Sequence, residues 1–395
     1  MTWLESPMRE YVLVALIGLV VCFCLTPACR SLAIRLGATA PVRDRDVHQH
    51  RIPYFGGLAM LGGLAAAYLI ASRMPFLSRY PSVTADSLVI LAAGCVICLV
   101  GVIDDLYDLN AAMKIAGQVL AAGVLVLGGV RVHWVPWNGG ILTLDPVAGI
   151  VITVVVVFVC ANAINIVDGL DGLAAGIVAI SASAFFIYAY WLTTEEDIAR
   201  ATTAALVTVV MCGVCIGYLP HNFHPATIFM GDSGAMLLGL LFAASTISLT
   251  GQIDPTNLAD RSGLWAAYVP MILPLISLGL PFLDMIVAYT RRTWHGVWWF
   301  VADKQHLHHR LLQRGHSQLG AVMIMYVWTA LLSYSAMIWG LFPSFWSGVT
   351  VLAVVVAALA FVVLTGRRVL PIGAEVGQKA TAKGKLKPCK VNSGG

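Results

Sequence analysis

The stretch Asn162-Ala-Ile-Asn165-Ile-Val-Asp168-Gly-Leu-Asp171-Gly172 separates two long apolar runs of the chain. An Asp at the centre of a membrane costs roughly 2.5–3.5 kcal/mol on insertion scales, so ionisable residues at membrane depth indicate function by default. If the stretch is helical, the i,i+3 spacing of Asn165, Asp168 and Asp171 places the three side chains on one face. One Asp could instead cap the next helix. Two Asp and two Asn within ten residues favour a functional site.

The composition is that of a chain that crosses a membrane many times. Of its 395 residues, 59% are hydrophobic and 11% are charged, and the mean hydropathy is +0.84. An ordinary soluble domain carries about 25% charged residues. The expected fold class is therefore an all-α polytopic membrane protein.

Runs of about 20 mostly apolar residues predict the individual spans. About eleven transmembrane helices are expected, at residues 11–29, 54–72, 87–103, 112–130, 147–163, 172–192, 202–219, 234–250, 264–290, 320–341 and 347–365. The ninth contains Pro270, Pro274 and Pro281 and is expected to be kinked or broken. Residues 1–366 are expected to form one transmembrane domain, and residues 367–395 a basic, disordered cytoplasmic tail.

Lysine and arginine predict the orientation. With eleven spans the termini lie on opposite sides, and 18 of the 24 Lys and Arg residues lie on the side of the C-terminus. Cytoplasmic loops carry the excess of Lys and Arg, which predicts a cytoplasmic C-terminus and an N-terminus outside. The acidic and histidine motifs fall on the same cytoplasmic side and predict one site built from several loops.

Two motifs carry the strongest chemistry. Asp104-Asp105-Leu-Tyr-Asp108 closes the third span, and Lys114 begins the next. Paired carboxylates suit a Mg²⁺ that bridges phosphates, and neighbouring acids separate each other's pKa values, which suits a base. A solvated helix end is the alternative.

The other strong motif is His306-Leu-His308-His309-Arg310. It could bind zinc or a polyphosphate. Without a nearby Cys, and with acids elsewhere that suit Mg²⁺, phosphate contact is favoured. A basic loop that obeys the charge rule would explain Arg310 but not the histidines.

Two further motifs are weak alone. Phe229-Met-Gly-Asp232-Ser-Gly places an acid at the start of the eighth span, and the Phe229 ring offers a flat face on which a base could stack. A basic loop ending at Arg51 runs into Gly56-Gly57 and could hold another phosphate.

These five motifs, in the order in which they occur along the chain, resemble those of the polyprenyl-phosphate N-acetylhexosamine-1-phosphate transferases. That group includes the WecA/TagO and MraY types. The resemblance covers about residues 11–341. It implies transfer of a sugar-1-phosphate from a UDP-sugar to a polyprenyl phosphate, a need for Mg²⁺, for which Mn²⁺ could substitute, and release of UMP at the cytoplasmic face of the cell membrane. The His-x-His-His-Arg form resembles enzymes specific for GlcNAc, which implies UDP-GlcNAc as donor. The loop Arg43-Asp-Arg-Asp-Val-His48 resembles actinobacterial members and implies decaprenyl phosphate.

The resemblance also implies a role for each motif residue. The catalytic group comprises Asp104, as base on the lipid phosphate, with Asp105 and Asp168. The implied Mg²⁺ ligands are Asn165 and Asp232, and the implied uracil contacts are Asp171 and Phe229. The implied phosphate contacts are Arg51, Lys114, His306, His308, His309 and Arg310. The role of Asp108 stays open, because a DDxxD pattern is loosely held among these proteins.

Two rival functions can be separated by their motifs. An intramembrane prenyltransferase of the UbiA type also uses two Asp-rich motifs and Mg²⁺, but would not need the histidine segment. An ion-coupled transporter, which is not an enzyme, should carry its acids near the midplane and often shows inverted repeats. The expected partners are UDP-GlcNAc, polyprenyl phosphate and the lipid bilayer. A homodimer is left open, and no nucleic acid is expected.

Overall fold

A computed structural model describes residues 7–40, 51–137, 140–195, 201–250, 275–276, 278–294 and 306–366. These residues form twelve helices and one short hairpin. The helices are α1 (Met8–Leu36), α2 (Gly56–Ala71), α3 (Pro81–Tyr107), α4 (Ala111–Leu127), α5 (Pro146–Val167), α6 (Leu173–Thr194), α7 (Ala201–Asn222), α8 (Gly231–Thr250), α9 (Gly279–Trp294), α10 (Leu307–Gln313), α11 (Gln318–Leu341) and α12 (Phe345–Gly366). The strands are β1 (Trp134–Trp137) and β2 (Gly140–Thr143).

The helices confirm the all-α polytopic class. In the described part of the chain, eight helices are long and apolar enough to cross a membrane, and α2 and α4 are shorter apolar helices. These ten coincide with ten of the eleven predicted spans. The ninth span is described only in its second half, where α9 begins at Gly279, and residues 264–274 lie outside the described residues. The number of eleven spans and their orientation remain predictions, and the tail at 367–395 also lies outside the described residues.

The core of the molecule is formed by α6, α7 and α8. Between 72% and 89% of the apolar stretch of each is buried, against 22% in α1 and α12. The outer helices instead expose large apolar side chains, such as Val20 on α1 and Leu352 on α12. A helix that is apolar all round is buried in protein or faces lipid, so α1 and α12 present lipid-facing surfaces.

The hairpin between α4 and α5 was not predicted. β1 and β2 pair antiparallel with Trp134 opposite Thr143, and the Val132 N–H donates to Thr153 Oγ1 on α5 at 3.0 Å. Strands of four residues are too short to produce the long apolar run by which a membrane helix is identified. The hairpin lies at the end of the helices opposite the acidic motifs.

The N-terminus of α8 lies unusually close to α2 and α3. A Cβ added to Gly57 would lie 2.3 Å from the Gly234 nitrogen, and one added to Gly101 would lie 2.3 Å from Ser233 Cα. Only glycine allows backbones to approach this closely. This contact carries Asp232, in the first turn of α8, to the last turn of α3.

The stretch between α5 and α6 is not one continuous helix. α5 ends at Val167, Asp168 follows as its C-cap, and α6 begins after Gly172, whose φ is +75°. Asn165 therefore lies on α5 while Asp168 and Asp171 lie on a turn, and the expected single helical face does not form. The C-terminus of α5 and the N-terminus of α6 are therefore separated by this short turn.

At the opposite end of the molecule, the buried Glu10 side chain links two elements. The Glu10 carboxylate, 5% exposed, accepts hydrogen bonds from the Phe76 and Leu77 N–H groups at 3.0 Å. This contact ties the start of α1 to the segment that follows α2.

Candidate active site

Three aspartates and one lysine converge from three helices. Lys114 Nζ on α4 lies 2.7 Å from Asp104 Oδ2 on α3 and 2.7 Å from Asp232 Oδ2 on α8. One carboxylate oxygen of each of Asp104, Asp105 and Asp232 lies within 4.8 Å of the others. The cluster thus brings three acidic side chains to one basic side chain, and a further cation would offset the repulsion between the carboxylates.

Asp105 fixes the start of α8 from a neighbouring helix. Its Oδ1 accepts the Asp232 N–H at 2.9 Å and its Oδ2 accepts the Ser233 N–H at 3.4 Å. These are N–H groups that a helix N-terminus leaves unpaired. Gly231, at φ +71°, leaves room for the carboxylate, because an added Cβ would lie 2.4 Å from Asp105 Oδ2. Asp105 thus sets the position of Asp232.

The cluster has the donor set of a divalent-cation site. Carboxylate oxygens are the ligands that Mg²⁺ prefers, and it binds through one or two of them together with substrate phosphates. Asn165, predicted as a ligand from the resemblance, is a hydrogen-bond partner of Asp232. The structure therefore brings the predicted ligands Asn165 and Asp232 together with Asp104 and Asp105, and the binding of Mg²⁺ there stays a prediction.

A buried polar layer lies one helical turn below the cluster. Asn162 Nδ2 donates to Gln118 Oε1 at 3.0 Å, and Gln118 Nε2 donates to Met236 Sδ at 3.4 Å. These residues come from α4, α5 and α8. Their hydrogen bonds fix the register of the three helices that carry the cluster above them. Gln118 was missed in the sequence, where its only signal is an amide inside an apolar run.

Asp168 is the C-cap of α5 and lies on the turn that precedes α6. Burial, followed by the charges of Asp232, Asp105 and Asp171, raises the pKa of Asp168 to about 7. A carboxyl group that titrates near neutral pH can take up and release protons during turnover. Its predicted catalytic role stays a prediction.

Asp171 connects the turn to the loop before α8. The Asp171 side chain is buried, and its Oδ2 lies 2.8 Å from His224 Nδ1 and accepts the Ala226 N–H at 3.1 Å. The neighbouring Gly172 N–H donates to Asn222 Oδ1 at 3.0 Å. Asp171 thus holds the loop that leads to Phe229, and its predicted contact with uracil stays a prediction. His224 and Asn222 were missed, although both stand in a polar segment beside Pro225.

Phe229 and the segment after Arg51 are neighbours. The Phe229 N–H donates to the Pro53 carbonyl at 2.8 Å, and the Phe229 carbonyl accepts the Gly56 N–H at 3.1 Å. The Phe229 and Tyr54 rings have their centroids 6.2 Å apart. Arg51 is exposed two residues before Pro53. The predicted stacking residue and the predicted phosphate contact therefore lie at one edge of the site.

The histidine segment forms a short helix, α10, rather than a loop. His308 is 2% exposed and packs on the turn after α5, since a Cβ added to Gly169 would lie 2.4 Å from His308 Nε2. Burial, with His309 and His306 nearby, holds the pKa of His308 well below its usual range. His308 is thus neutral at physiological pH, and His309 is half-buried beside it. Their phosphate roles stay predictions.

His306 is paired with an acid that the sequence analysis did not single out. Asp284 on α9 is 1% exposed, and its Oδ2 lies 3.0 Å from His306 Nδ1. Its Oδ1 accepts the Leu307 N–H at 2.9 Å. The available signal was an Asp inside an apolar run.

Arg310 and Arg314 bind the end of α12. Arg310, 4% exposed, donates from Nη1 to the Val362 carbonyl at 3.2 Å, and Arg314 donates to the Leu364 carbonyl at 2.7 Å. Basic side chains satisfy the carbonyls that a helix C-terminus leaves unpaired. Arg310 therefore has a structural partner, and its predicted phosphate contact stays untested by the geometry.

The sequence is similar to those of known proteins along most of its length. The family described as glycosyl transferase family 4 matches residues 87–250, which run from α3 to α8 and include the acidic cluster. A decaprenyl-phosphate N-acetylglucosaminephosphotransferase of Mycobacterium tuberculosis (strain CDC 1551 / Oshkosh) is 42% identical over 335 residues, or 84% of this chain and 82% of that protein.

Two further relatives extend the comparison. A Bacillus subtilis (strain 168) protein described as "Probable undecaprenyl-phosphate N-acetylglucosaminyl 1-phosphate transferase" is 31% identical over 85% of this chain and 86% of its own length. A phospho-N-acetylmuramoyl-pentapeptide-transferase of Mycobacterium avium (strain 104) is 32% identical, over 62% of this chain and 78% of its own. The motifs, the converging helices and these matches agree: the chain belongs to glycosyl transferase family 4, among the polyprenyl-phosphate N-acetylhexosamine-1-phosphate transferases of the WecA/TagO type.

Proposed function

We propose that the protein transfers GlcNAc-1-phosphate from UDP-GlcNAc to a polyprenyl phosphate, giving polyprenyl-diphosphate-GlcNAc and UMP. This would be the first membrane step of a cell-envelope polysaccharide pathway. The observation that carries the proposal is Lys114 held between Asp104 and Asp232 at the meeting point of three helices. The higher identity to the decaprenyl-phosphate relatives favours decaprenyl phosphate as the acceptor.

The reaction asks the protein mainly for position and charge. An oxygen of the lipid phosphate bonds to the phosphorus attached to the sugar, the bond between the two phosphates of the donor breaks, and UMP leaves with the electron pair. Such transfers depend on alignment and electrostatic stabilisation. Asp104, Asp105, Asp232 and Asn165 would hold Mg²⁺, which when bound neutralises charge on the diphosphate.

The remaining residues act on the two substrates. Lys114 draws phosphate oxygens toward the cluster, and Asp104, fixed by the Leu109 N–H at 2.8 Å, keeps the acceptor phosphate deprotonated and directed. Phe229 stacks on the base of the donor. His306, aligned by Asp284, faces the donor diphosphate.

The site lies on the cytoplasmic side in this proposal. All of its described elements are at one end of the helices, and the predicted eleven-span topology assigns 18 of the 24 Lys and Arg residues to that side. The donor is a charged nucleotide sugar, which is soluble in the cytoplasm and does not cross a bilayer. The lipid acceptor reaches the same end along the apolar outer surface.

The two rival functions are disfavoured by family membership. A prenyltransferase would release diphosphate from a prenyl diphosphate, and a transporter would release no UMP. Purified protein in detergent, given Mg²⁺, UDP-GlcNAc and decaprenyl phosphate, should release UMP in step with formation of the lipid product.

The same assay also tests the acceptor length, the identity of the sugar and the metal requirement. Undecaprenyl phosphate tests the acceptor length, and UDP-GalNAc and the UDP-MurNAc-pentapeptide test the sugar. Removal of metal with EDTA should stop the reaction, and Mg²⁺ or Mn²⁺, but not Zn²⁺, should restore it. UMP release that is absent with every acceptor would refute the proposed function.

A further inference from the structure

We infer that Asp284 is a positioning residue that fixes both the ring proton of His306 and the start of α10. The inference rests on the proposed function and adds a residue outside the acidic cluster. Asp284 lies on α9, and His306 stands 22 residues later in the chain. The pair therefore joins two elements that local sequence does not connect.

One oxygen of Asp284 determines which nitrogen of His306 carries hydrogen. A carboxylate oxygen accepts hydrogen bonds, and at 3.0 Å from Asp284 Oδ2 we assign the donor role to His306 Nδ1. The hydrogen bond made by one ring nitrogen sets the role of the other. Nε2 is then the atom presented to substrate, as an acceptor in the neutral ring and as a donor in the charged ring.

The other oxygen holds the helix. Asp284 Oδ1 accepts the Leu307 N–H at 2.9 Å, at the N-terminus of α10, where a negative charge is favourable. α10 carries His308, which packs against Gly169, and Arg310, which binds the Val362 carbonyl. By fixing the start of α10, Asp284 fixes the segment that lies against the Asp168–Asp171 turn.

The burial of Asp284 requires these two contacts. The side chain is 1% exposed, and an unpaired carboxylate at that depth would be strongly unfavourable. It lies outside the group of acids that could share a metal ion in the described residues. Its described partners belong to the histidine segment, so its role is assigned to that segment.

Asp284→Asn separates the two effects. The amide keeps the shape of the side chain and one oxygen for the Leu307 N–H, but its NH₂ group now faces His306 Nδ1 and donates to it. The ring proton must then move to Nε2, which reverses the atom presented to substrate. Asp284→Ala removes both contacts. Glu10→Gln is the matched control, because Glu10 is also a buried acid that accepts backbone N–H groups, but at the far end of the molecule.

We expect Asp284→Asn to lower kcat/KM for UDP-GlcNAc by about 10- to 100-fold, the loss found when the partner that orients a metal-bound histidine is replaced. The KM for polyprenyl phosphate should change little. Hydrogen exchange of the 306–313 peptide should stay as slow as in the wild type, and should accelerate in Asp284→Ala. Glu10→Gln should lower the melting temperature but leave kcat/KM of the folded enzyme unchanged.

A double-mutant cycle with His306→Ala tests the route of the effect. If Asp284 acts through His306, adding Asp284→Asn to His306→Ala should cause little further loss, because the two changes remove one unit. The inference would be overturned if the losses of kcat/KM in the two single variants multiplied in the double variant. It would also be overturned if Asp284→Asn kept full activity, or if its loss of activity only followed the amount of folded protein.

An activity-independent measurement separates the inference from the proposed function. Nitrogen chemical shifts of labelled His306 should report hydrogen on Nδ1 in the wild type and on Nε2 in Asp284→Asn. An unchanged ring proton would overturn the inference even if the wild type releases UMP. Absence of UMP release with the expected shifts would refute only the proposed function.

Discussion

Lys114 is the residue on which the charge balance of the site depends. Its ammonium lies 2.7 Å from carboxylate oxygens on two different helices, and these carboxylates would otherwise repel each other. A cation or a phosphate that binds here would change the electrostatic interactions of Lys114 with both carboxylates.

Asp232→Asn should remove metal-dependent turnover. The change deletes one of three clustered carboxylates and one partner of Lys114, and removal of one positioned charged or polar group from an active site costs roughly 100-fold or more in kcat. The measurement is UMP release per folded enzyme across a Mg²⁺ titration.

The control for Asp232→Asn is Asp145→Asn. Asp145 caps α5 at the opposite end, where its Oδ2 accepts the Val147 N–H at 3.0 Å. Asn is as good an N-cap as Asp, so this variant should keep nearly the same stability and full activity. Near-normal turnover of well-folded Asp232→Asn would exclude the ligand role.

Asp168 should make stability depend on pH. Its pKa is raised from 3.8 to about 7 in the fold, so the folded protein holds this proton where the unfolded chain has lost it. The stabilising contribution is therefore full below about pH 4 and is lost as pH rises to about 7.

Asp168→Asn removes that loss, because an amide does not ionise. In EDTA, the variant should gain melting temperature relative to the wild type between pH 5 and pH 8. Added Mg²⁺ should reduce the gain, since a bound cation offsets repulsion from Asp105 and Asp232. A difference independent of pH would contradict the assignment.

At the scale of elements, the site depends on helix ends that approach closely. α3 and α8 meet through Gly101, and Asp105 caps α8 across that contact. Gly101→Ala should force the helices apart, costing about 1–3 kcal/mol as overpacking does, and should lower kcat by disturbing the Asp105–Asp232 contact.

The matched variant is Gly123→Ala on α4. An added Cβ there meets no other atom within 4 Å. It should be neutral or stabilise by about 0.5–1 kcal/mol, because alanine is the better helix former. Melting temperature and UMP release, measured in both variants, decide the comparison. Equal effects would show that the close contact has no special role.

α10 is held at both ends by other elements, by Asp284 at its start and by α12 at its end. Arg310→Ala removes a charged donor from the Val362 carbonyl and should cost roughly 1.5–3 kcal/mol of stability. A phosphate role would instead raise the KM for UDP-GlcNAc with little change in melting temperature.

Arg314→Ala gives the comparison for Arg310→Ala. Arg314 makes the neighbouring contact with Leu364 but was not assigned to phosphate. If the two variants behave alike in both measurements, Arg310 is a structural residue, and the phosphate prediction for it is wrong.

At the scale of the whole molecule, the site is confined to one end of a helical bundle. If that end is cytoplasmic, inside-out membrane vesicles should use added UDP-GlcNAc, and right-side-out vesicles should use it only after permeabilisation. A reporter fused after Gly395 should be active in the cytoplasm. Activity of intact right-side-out vesicles, or a reporter active only outside, would reverse the proposed orientation.

Sequence alone determined the properties that depend on composition and local pattern. The apolar runs fixed the membrane class and ten of the described helices, because a membrane helix must satisfy its backbone internally and shield it with apolar side chains. Polar residues at the ends of those runs identified the candidate site residues, since burying such groups near membrane depth is costly without a function. They are Asp104, Asp105, Asn165, Asp168 and Asp232. The short hairpin carried no such signal and was missed.

Only the tertiary structure decided which of these residues meet. Asp105 and the Asp232 N–H come together across 127 positions, and Asp284 and His306 pair from elements that no local pattern links. It also buried His308 and gave Asp171 and Arg310 partners within the protein. The physical reason is that such contacts depend on how helices pack, here through glycines that admit a neighbouring backbone, whereas periodicity records only which face of a segment is apolar.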